Sequence, residues 1–206
     1  MSESRLGILL SGRGSNFLAI AESVSQARIA NAKIAVVISN RRDAPGIDVA
    51  RNRGLPARVI ESKGRPRTEH DAEIISALRA SEVDLVCLAG YMRLLSAEFV
   101  RAFPQRILNI HPSLLPAFPG LDAQRQALEY GVTFSGCTVH FVDEELDHGV
   151  IILQRTVPVF PQDDQRALSA RILEQEHIAY TEAIGRVLSG KYHIAGRRFV
   201  FRSDGN

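Results

Sequence analysis

The 206-residue sequence predicts an α/β fold, with a mostly parallel central sheet, helices on both faces and a mixed or antiparallel C-terminal extension. Three observations carry that expectation. Short apolar runs alternate with amphipathic segments through most of the chain, the pattern of parallel strands joined by crossover helices. A glycine-rich turn, Ser11-Gly12-Arg13-Gly14-Ser15-Asn16, joins the first run to the first helical pattern, as in Rossmann-like halves. In the last third the alternation stops, and two strand-like runs follow one another before a long helix.

The elements follow in order. Leu6–Leu10 is the first strand, and the helical pattern after the turn runs to about Ala27. Ile34–Ile38 is the second strand and Ala57–Ile60 a weaker third, followed by an amphipathic helix from about Glu69 to Ala80. Asp84–Ala89 barely alternates, which marks a strand buried on both faces. Arg106–Ile110 is another strand, ending in the proline-rich loop His111 to Gly120, where no regular element persists. The sequence leaves open whether Leu115–Pro116 is cis, although a sharp turn beside a site is where a cis proline is expected. Thr138–Val142 and Val150–Val159 read as strands around the acidic loop Asp143–Gly149. A helix over Gln165 to Leu188 carries an expected buried stripe of Leu168, Ile172, Ile178 and Ile184. The segment from His193 to Phe201 reads as a hairpin around Ala195-Gly196.

Composition narrows the function. Dividing the length by about 150 residues per domain gives about 1.4, one domain with some extra length. Hydrophobic residues at 45% and charged residues at 23% fit an ordinary globular chain. The balance of 25 basic and 23 acidic residues, +2, speaks against a dedicated nucleic-acid or membrane-surface binder. Cys87 and Cys137 lie far apart in apolar contexts, which predicts buried thiols rather than a disulfide framework or a zinc site. No stretch reaches the length of a membrane span and the N-terminus lacks a signal peptide's apolar region, so the expectation is a cytoplasmic protein.

Three segments could carry chemistry. In the Ser11–Asn16 turn, glycines allow close backbone approach and a helix N-terminus offers free N–H groups, which suits a single phosphate. A tight turn with a helix cap explains the same residues equally well. The dinucleotide fingerprint fails, because Phe17 replaces its third glycine and Ser39-Asn40 stands where an acid would follow the second strand. No Gly-Lys-Ser/Thr follows a strand, which disfavours ATP. Asn109 and His111, two apart on a strand, would face one space at its carboxyl end, where open α/β sheets place their sites. Both donate to oxygen, and the histidine also moves protons, so the pair suits a developing oxyanion. A carboxylate such as Asp147 near His111 would favour its cationic form. On its own, Asp147 reads as a solvated loop acid. His70, His140, His148, His177 and His193 show no metal-ligand spacing.

Taken together, Ser11–Asn16, Leu88–Ser96, Ile107–Pro116, Pro119–Leu121, Arg125–Leu128, Val139–Val142, Glu145–Asp147 and Gln175–His177 resemble the phosphoribosylglycinamide formyltransferases, in the family's order and up to about Gly190. The resemblance implies a Rossmann-like formyltransferase fold in one domain over residues 1–206. Within it, residues 1–100 form the nucleotide-binding half and 101–190 the catalytic and folate half; the tail 191–206, read as a hairpin from its own residues, lies beyond the resemblance and is expected to cover a sheet edge. It implies transfer of the formyl group of 10-formyltetrahydrofolate, a co-substrate, to the amine of 5'-phosphoribosylglycinamide in purine biosynthesis, through a tetrahedral intermediate, without metal or ATP. By resemblance, Asn109, His111 and Asp147 are catalytic. Gly14, Ser15, Asn16, Asn109 and Glu176 hold the ribonucleotide. Arg67, Met92, Arg93, Leu94, Leu95, Asn109, Asp143 and Asp147 line the folate side. The partners implied are these two small molecules, with no nucleic acid and no membrane, for a monomer or homodimer. Many relatives carry histidine after Pro119-Gly120-Leu121, where this chain has Asp122-Ala123-Gln124, so the surroundings of Asp147 are an open point.

Three other readings compete. Methionyl-tRNA formyltransferases share the Ser-Leu-Leu-Pro loop, and formyltetrahydrofolate deformylases share the core; both are expected to be longer. A non-catalytic folate- or nucleotide-binding module is disfavoured by the presence of Asn109, His111 and Asp147 together.

Overall fold

The computed structural model describes residues 3–202. The chain divides into two compact units, residues 1–109 and 110–206.

The first unit is a parallel α/β layer. Its strands are β1 (Ser4–Leu10), β2 (Ala32–Ser39), β3 (Ala57–Val59), β4 (Leu85–Leu88) and β5 (Ile107–His111), the last running through the division. They lie in the order β3-β2-β1-β4-β5, every pair parallel. The helices are α1 (Ser15–Ser25), α2 (Pro45–Asn52), α3 (Arg67–Ala80) and α4 (Ala97–Ala102). The chain moves outward from β1 to β3, then returns to β4 on the other side of β1. Right-handed crossovers therefore put α1 and α2 on one face and α3 and α4 on the other. With both faces covered, Leu6, Ile8, Leu9 and Leu10 of β1 and all of β4 are buried, as the unalternating runs predict. The direction changes at β1, so the carboxyl ends of β1 and β4 flank the switch point where such sheets place ligands.

The second unit holds α5 (Ala123–Tyr130), β6 (Phe134–Phe141), β7 (Ile151–Pro158), α6 (Gln165–Leu188), β8 (Tyr192–Ala195) and β9 (Arg198–Phe201). β6 and β7 pair antiparallel, β9 adds to β7 in parallel, and β8 closes the hairpin, in the order β6-β7-β9-β8. The register of β6 against β7 shifts between Val139 and His140. The last four residues of the expected tail lie outside the described residues.

One expectation fails. Ile178 is 46% exposed, and the buried face of α6 is formed by Leu168, Ile172, Glu176, Ala179, Tyr180, Ala183 and Ile184. Each helical residue turns roughly 100°, so Ile178 points about 200° away from Glu176 and Tyr180, its neighbours two places off. The helices α2, α4 and α5, only six to eight residues long, are additions that the apolar periodicity did not single out. Cys87 and Cys137 are both buried free thiols, as expected.

Candidate active site

In the first unit the turn after β1 is built by backbone geometry. Gly14 has φ +75°, a conformation open to glycine at little cost, and it stands at the N-cap of α1 with no side chain capping the helix. Gly46 packs under the turn and donates its N–H to the Gly12 carbonyl at 3.1 Å; a Cβ there would come within 3.1 Å of the same oxygen. Ser11 belongs to the scaffold. Its hydroxyl donates to Asn40 Oδ1 at 2.6 Å and accepts from Met92 N–H at 2.8 Å, and its own N–H donates to the Gly90 carbonyl at 3.0 Å. One serine thus ties together the ends of β1, β2 and β4. The expected phosphate residues Gly14, Ser15 and Asn16 sit at the first turn of α1, where backbone N–H groups lack partners within the helix.

The expected folate residues of this unit occupy the loop after β4 and the start of α3. Met92 and Leu94 are exposed at 73% and 56%, and Leu95 is half-buried. Arg93 turns back, donating to the carbonyls of Ser62 and Arg65 at 3.3 and 3.1 Å. It therefore ties its loop to the approach to α3, whose first residue is the exposed Arg67. The loop is also fixed from below. Buried Asp71 accepts from Ser96 N–H at 2.6 Å, and the pKa of the buried Tyr91 hydroxyl is pushed well above its ordinary value, by burial first and then by the Asp71 charge.

In the second unit His111 and Asp147 come together. His111 Nδ1 lies 3.4 Å from Asp147 Oδ2, with the side chains only 6% and 8% exposed. His111 Nε2 lies 2.8 Å from the Phe118 carbonyl, which can only accept. Both ring nitrogens thus face acceptor oxygens. Asp147 Oδ2 also accepts from Gly120 N–H at 2.8 Å. Asp147 holds φ +49°, an uncommon value for a non-glycine residue and one found where the surroundings overdetermine it. The solvated-acid reading of Asp147 is thereby replaced by a buried, paired carboxylate. Asn109 precedes His111 by two places on β5, so both side chains leave the same side of the strand.

Two further expected residues, Asp143 and Glu176, also lie in the second unit. Asp143 pairs with His148 rather than a histidine of the site, its Oδ2 lying 2.9 Å from His148 Nδ1. Glu176 is buried on α6; after burial itself, its charge helps push the Cys137 thiol up to about 12.

Several residues that sequence spacing did not indicate complete the site. His140 is buried with Nδ1 2.7 Å from the Phe141 carbonyl and Nε2 3.8 Å from Asp147 Oδ1. Burial, the largest influence, lowers its pKa against the opposing pull of the Phe141 carbonyl and Asp147. The register shift at Val139/His140 is the local cause of its aim, since bulges redirect side chains beside sites. Thr138, also on β6, accepts from Leu115 N–H at 3.0 Å and donates to the Ser113 carbonyl at 2.7 Å. Gln154 donates to the Leu115 carbonyl and to Thr138. Together they pin the proline loop, in which Leu115–Pro116 is cis. Gly149 lets the acidic loop pass β6, because a Cβ there would fall 1.8 Å from the Phe141 carbonyl oxygen.

A parallel switch-point sheet with a glycine-rich turn into α1 in the first unit, and a buried His–Asp pair on a pinned loop in the second, define a protein of the α/β class with a candidate active site. Residues 4–184 match the formyl transferase family, and the chain belongs to it. It is 51% identical to glycinamide ribonucleotide transformylase 1 from Symbiobacterium toebii, with a TM-score of 0.94 over 97% of this chain and 94% of that one. It is 41% identical to phosphoribosylglycinamide formyltransferase from Anaplasma phagocytophilum, with a TM-score of 0.91 over 100% and 96%. The human trifunctional purine biosynthetic protein adenosine-3 is 46% identical over 193 residues, 93% of this chain but 19% of that protein. The chain spans less than a fifth of the length of the trifunctional relatives it matches. The chloroplastic phosphoribosylglycinamide formyltransferase of Arabidopsis thaliana is 38% identical over 98% of this chain and 68% of that protein. A formyltetrahydrofolate deformylase from Pseudomonas syringae shares the fold at 24% identity, with a TM-score of 0.92.

Proposed function

We propose that this chain transfers the formyl group of 10-formyltetrahydrofolate to the primary amine of 5'-phosphoribosylglycinamide in purine biosynthesis. The observation that carries the reading is the buried His111–Asp147 pair, two residues beyond Asn109, in a chain whose relatives are named for this reaction. Gly14, Ser15 and Asn16 hold the substrate phosphate on the N-terminus of α1, where the helix dipole and free N–H groups favour an anion. Glu176, the other ribonucleotide residue, bears on the same substrate from α6. Arg67, the Met92–Leu95 loop, Asp143 and Asp147 form the folate side.

The amine attacks the formyl carbon and charge develops on the formyl oxygen. Asn109 and His111 donate to that oxygen, His111 through the Nε2–H that otherwise rests on the Phe118 carbonyl. Asp147 stabilises the imidazolium and accepts the proton that leaves the amine; as the tetrahedral intermediate collapses, the bond between the formyl carbon and the folate nitrogen breaks and that nitrogen takes up the proton. No covalent enzyme intermediate enters this sequence. We take residues 1–206 as a single formyltransferase domain working in the cytoplasm as a monomer or homodimer, with these two small molecules as its partners.

The test follows deformylated folate spectroscopically, with and without the ribonucleotide. Product that requires the ribonucleotide is the expected result. Equal product without it makes the protein a hydrolase of the formyl folate, and no product in either case leaves a binding module.

A further inference from the structure

The β8–β9 hairpin does more than cover the edge of β7. Ile151, the first residue of β7, pairs with Arg198, so the residue before it, Arg197, arrives beside the loop that enters β7. An aromatic group seats the hairpin there. Tyr192 and Phe199 stack at 4.6 Å, and both lie against Phe141, the last residue of β6, at 6.1 and 6.3 Å. The hairpin therefore rests on the strand before the acidic loop and reaches the loop itself.

Arg197 makes that contact at His148, the residue after Asp147. One guanidinium nitrogen donates to the His148 carbonyl. The other lies 2.9 Å from His148 Nε2 and 3.4 Å from Nδ1, near both ring nitrogens at once, a position over the ring face. A planar cation suits such stacking. His148 is held from a second direction by Asp143. Asp147 needs such support: its backbone holds φ +49°, while its carboxylate is met by Gly120 N–H, His111 and His140.

We propose that Arg197 is a positioning residue for Asp147, holding the carbonyl and ring of His148 so that the Asp147 carboxylate stays against His111. The consequence for turnover rests on the formyl-transfer reading above; the placement of the carboxylate does not. The Gly120 amide separates the two, because its N–H donates to that carboxylate and its hydrogen exchange is read without substrate.

The experiment compares Arg197→Ala, Arg197→Lys and, as a control on the same hairpin, Arg198→Ala. In Arg197→Ala, Gly120 exchange is expected to rise about fivefold, and kcat to fall about three- to fivefold, the scale of an exposed charged contact. KM for both substrates is expected to stay within about twofold, since no binding group is removed. Arg197→Lys restores part of both effects, keeping a donor for the carbonyl but losing the planar face. Arg198→Ala leaves Gly120 exchange and kcat as they were. Unchanged Gly120 exchange in Arg197→Ala overturns the proposal whatever the turnover, and raised exchange with unchanged kcat overturns the catalytic role. If the parent protein shows no transfer while Gly120 exchange still responds, the formyl-transfer reading fails and the placement of Asp147 stands.

Discussion

Asp147 illustrates how the site differs from its sequence at the scale of single residues. As a string it is one acid among several; in the fold it is buried, strained and shared between His111, Gly120 and His140. Replacing Asp147 by Asn or His111 by Ala is expected to lower kcat about a hundredfold or more, with the circular dichroism spectrum retained. Steady-state kinetics on the purified variants checks this, and near-normal turnover in both would remove the assigned roles. His140 makes a prediction about stability. Burial holds its folded pKa below the ordinary 6.5, so below that pH the unfolded chain binds a proton that the folded one resists. Stability is therefore full above about pH 6.5 and falls as pH drops below it, an effect His177, also lowered by burial, shares. The melting temperature should fall less between pH 7.5 and 5.5 in His140→Gln than in the parent chain. His111 and Asn109 were legible because two-residue spacing on a strand puts them on one side. His140 was not, because its aim depends on a register shift with β7, a pairing no local pattern encodes.

Among the elements, the turn into α1 shows what a motif leaves open. Its glycines were readable, and the choice between a phosphate cradle and a capped helix was not. The structure removes side-chain capping from that choice, since no side chain caps α1. Gly14→Ala tests the element directly. A side chain at φ +75° costs about 1–2 kcal/mol, and its Cβ would lie 3.3 Å from the Gly46 Cα, so the turn must open. KM for the ribonucleotide should rise about tenfold, with kcat affected less. A KM within twofold of the parent value would move the phosphate elsewhere. The proline loop carries the same lesson. Pro112, Pro116 and Pro119 announce irregular backbone, but the groups that fix it, Thr138 and Gln154, sit on strands far along the chain.

For the molecule as a whole, the alternation of apolar runs and helices was sufficient to read the parallel first unit, including the doubly buried β4. The tail's hairpin was legible from its turn, yet its insertion as β7-β9-β8 was not, since docking is decided by aromatic contacts with Phe141. The placement of the two cysteines has a practical meaning. Cys87 is fully buried on β4, and Cys137 on β6 is buried with its thiol pushed up to about 12, far from the thiolate that reacts with alkylating or disulfide reagents. Native protein should release almost no chromophore from an aromatic disulfide reagent, and two equivalents per chain once unfolded. A single cysteine introduced on the surface would then be the one reactive thiol, so fluorophores or spin labels can report loop movement during turnover in a chain that needs no other substitution.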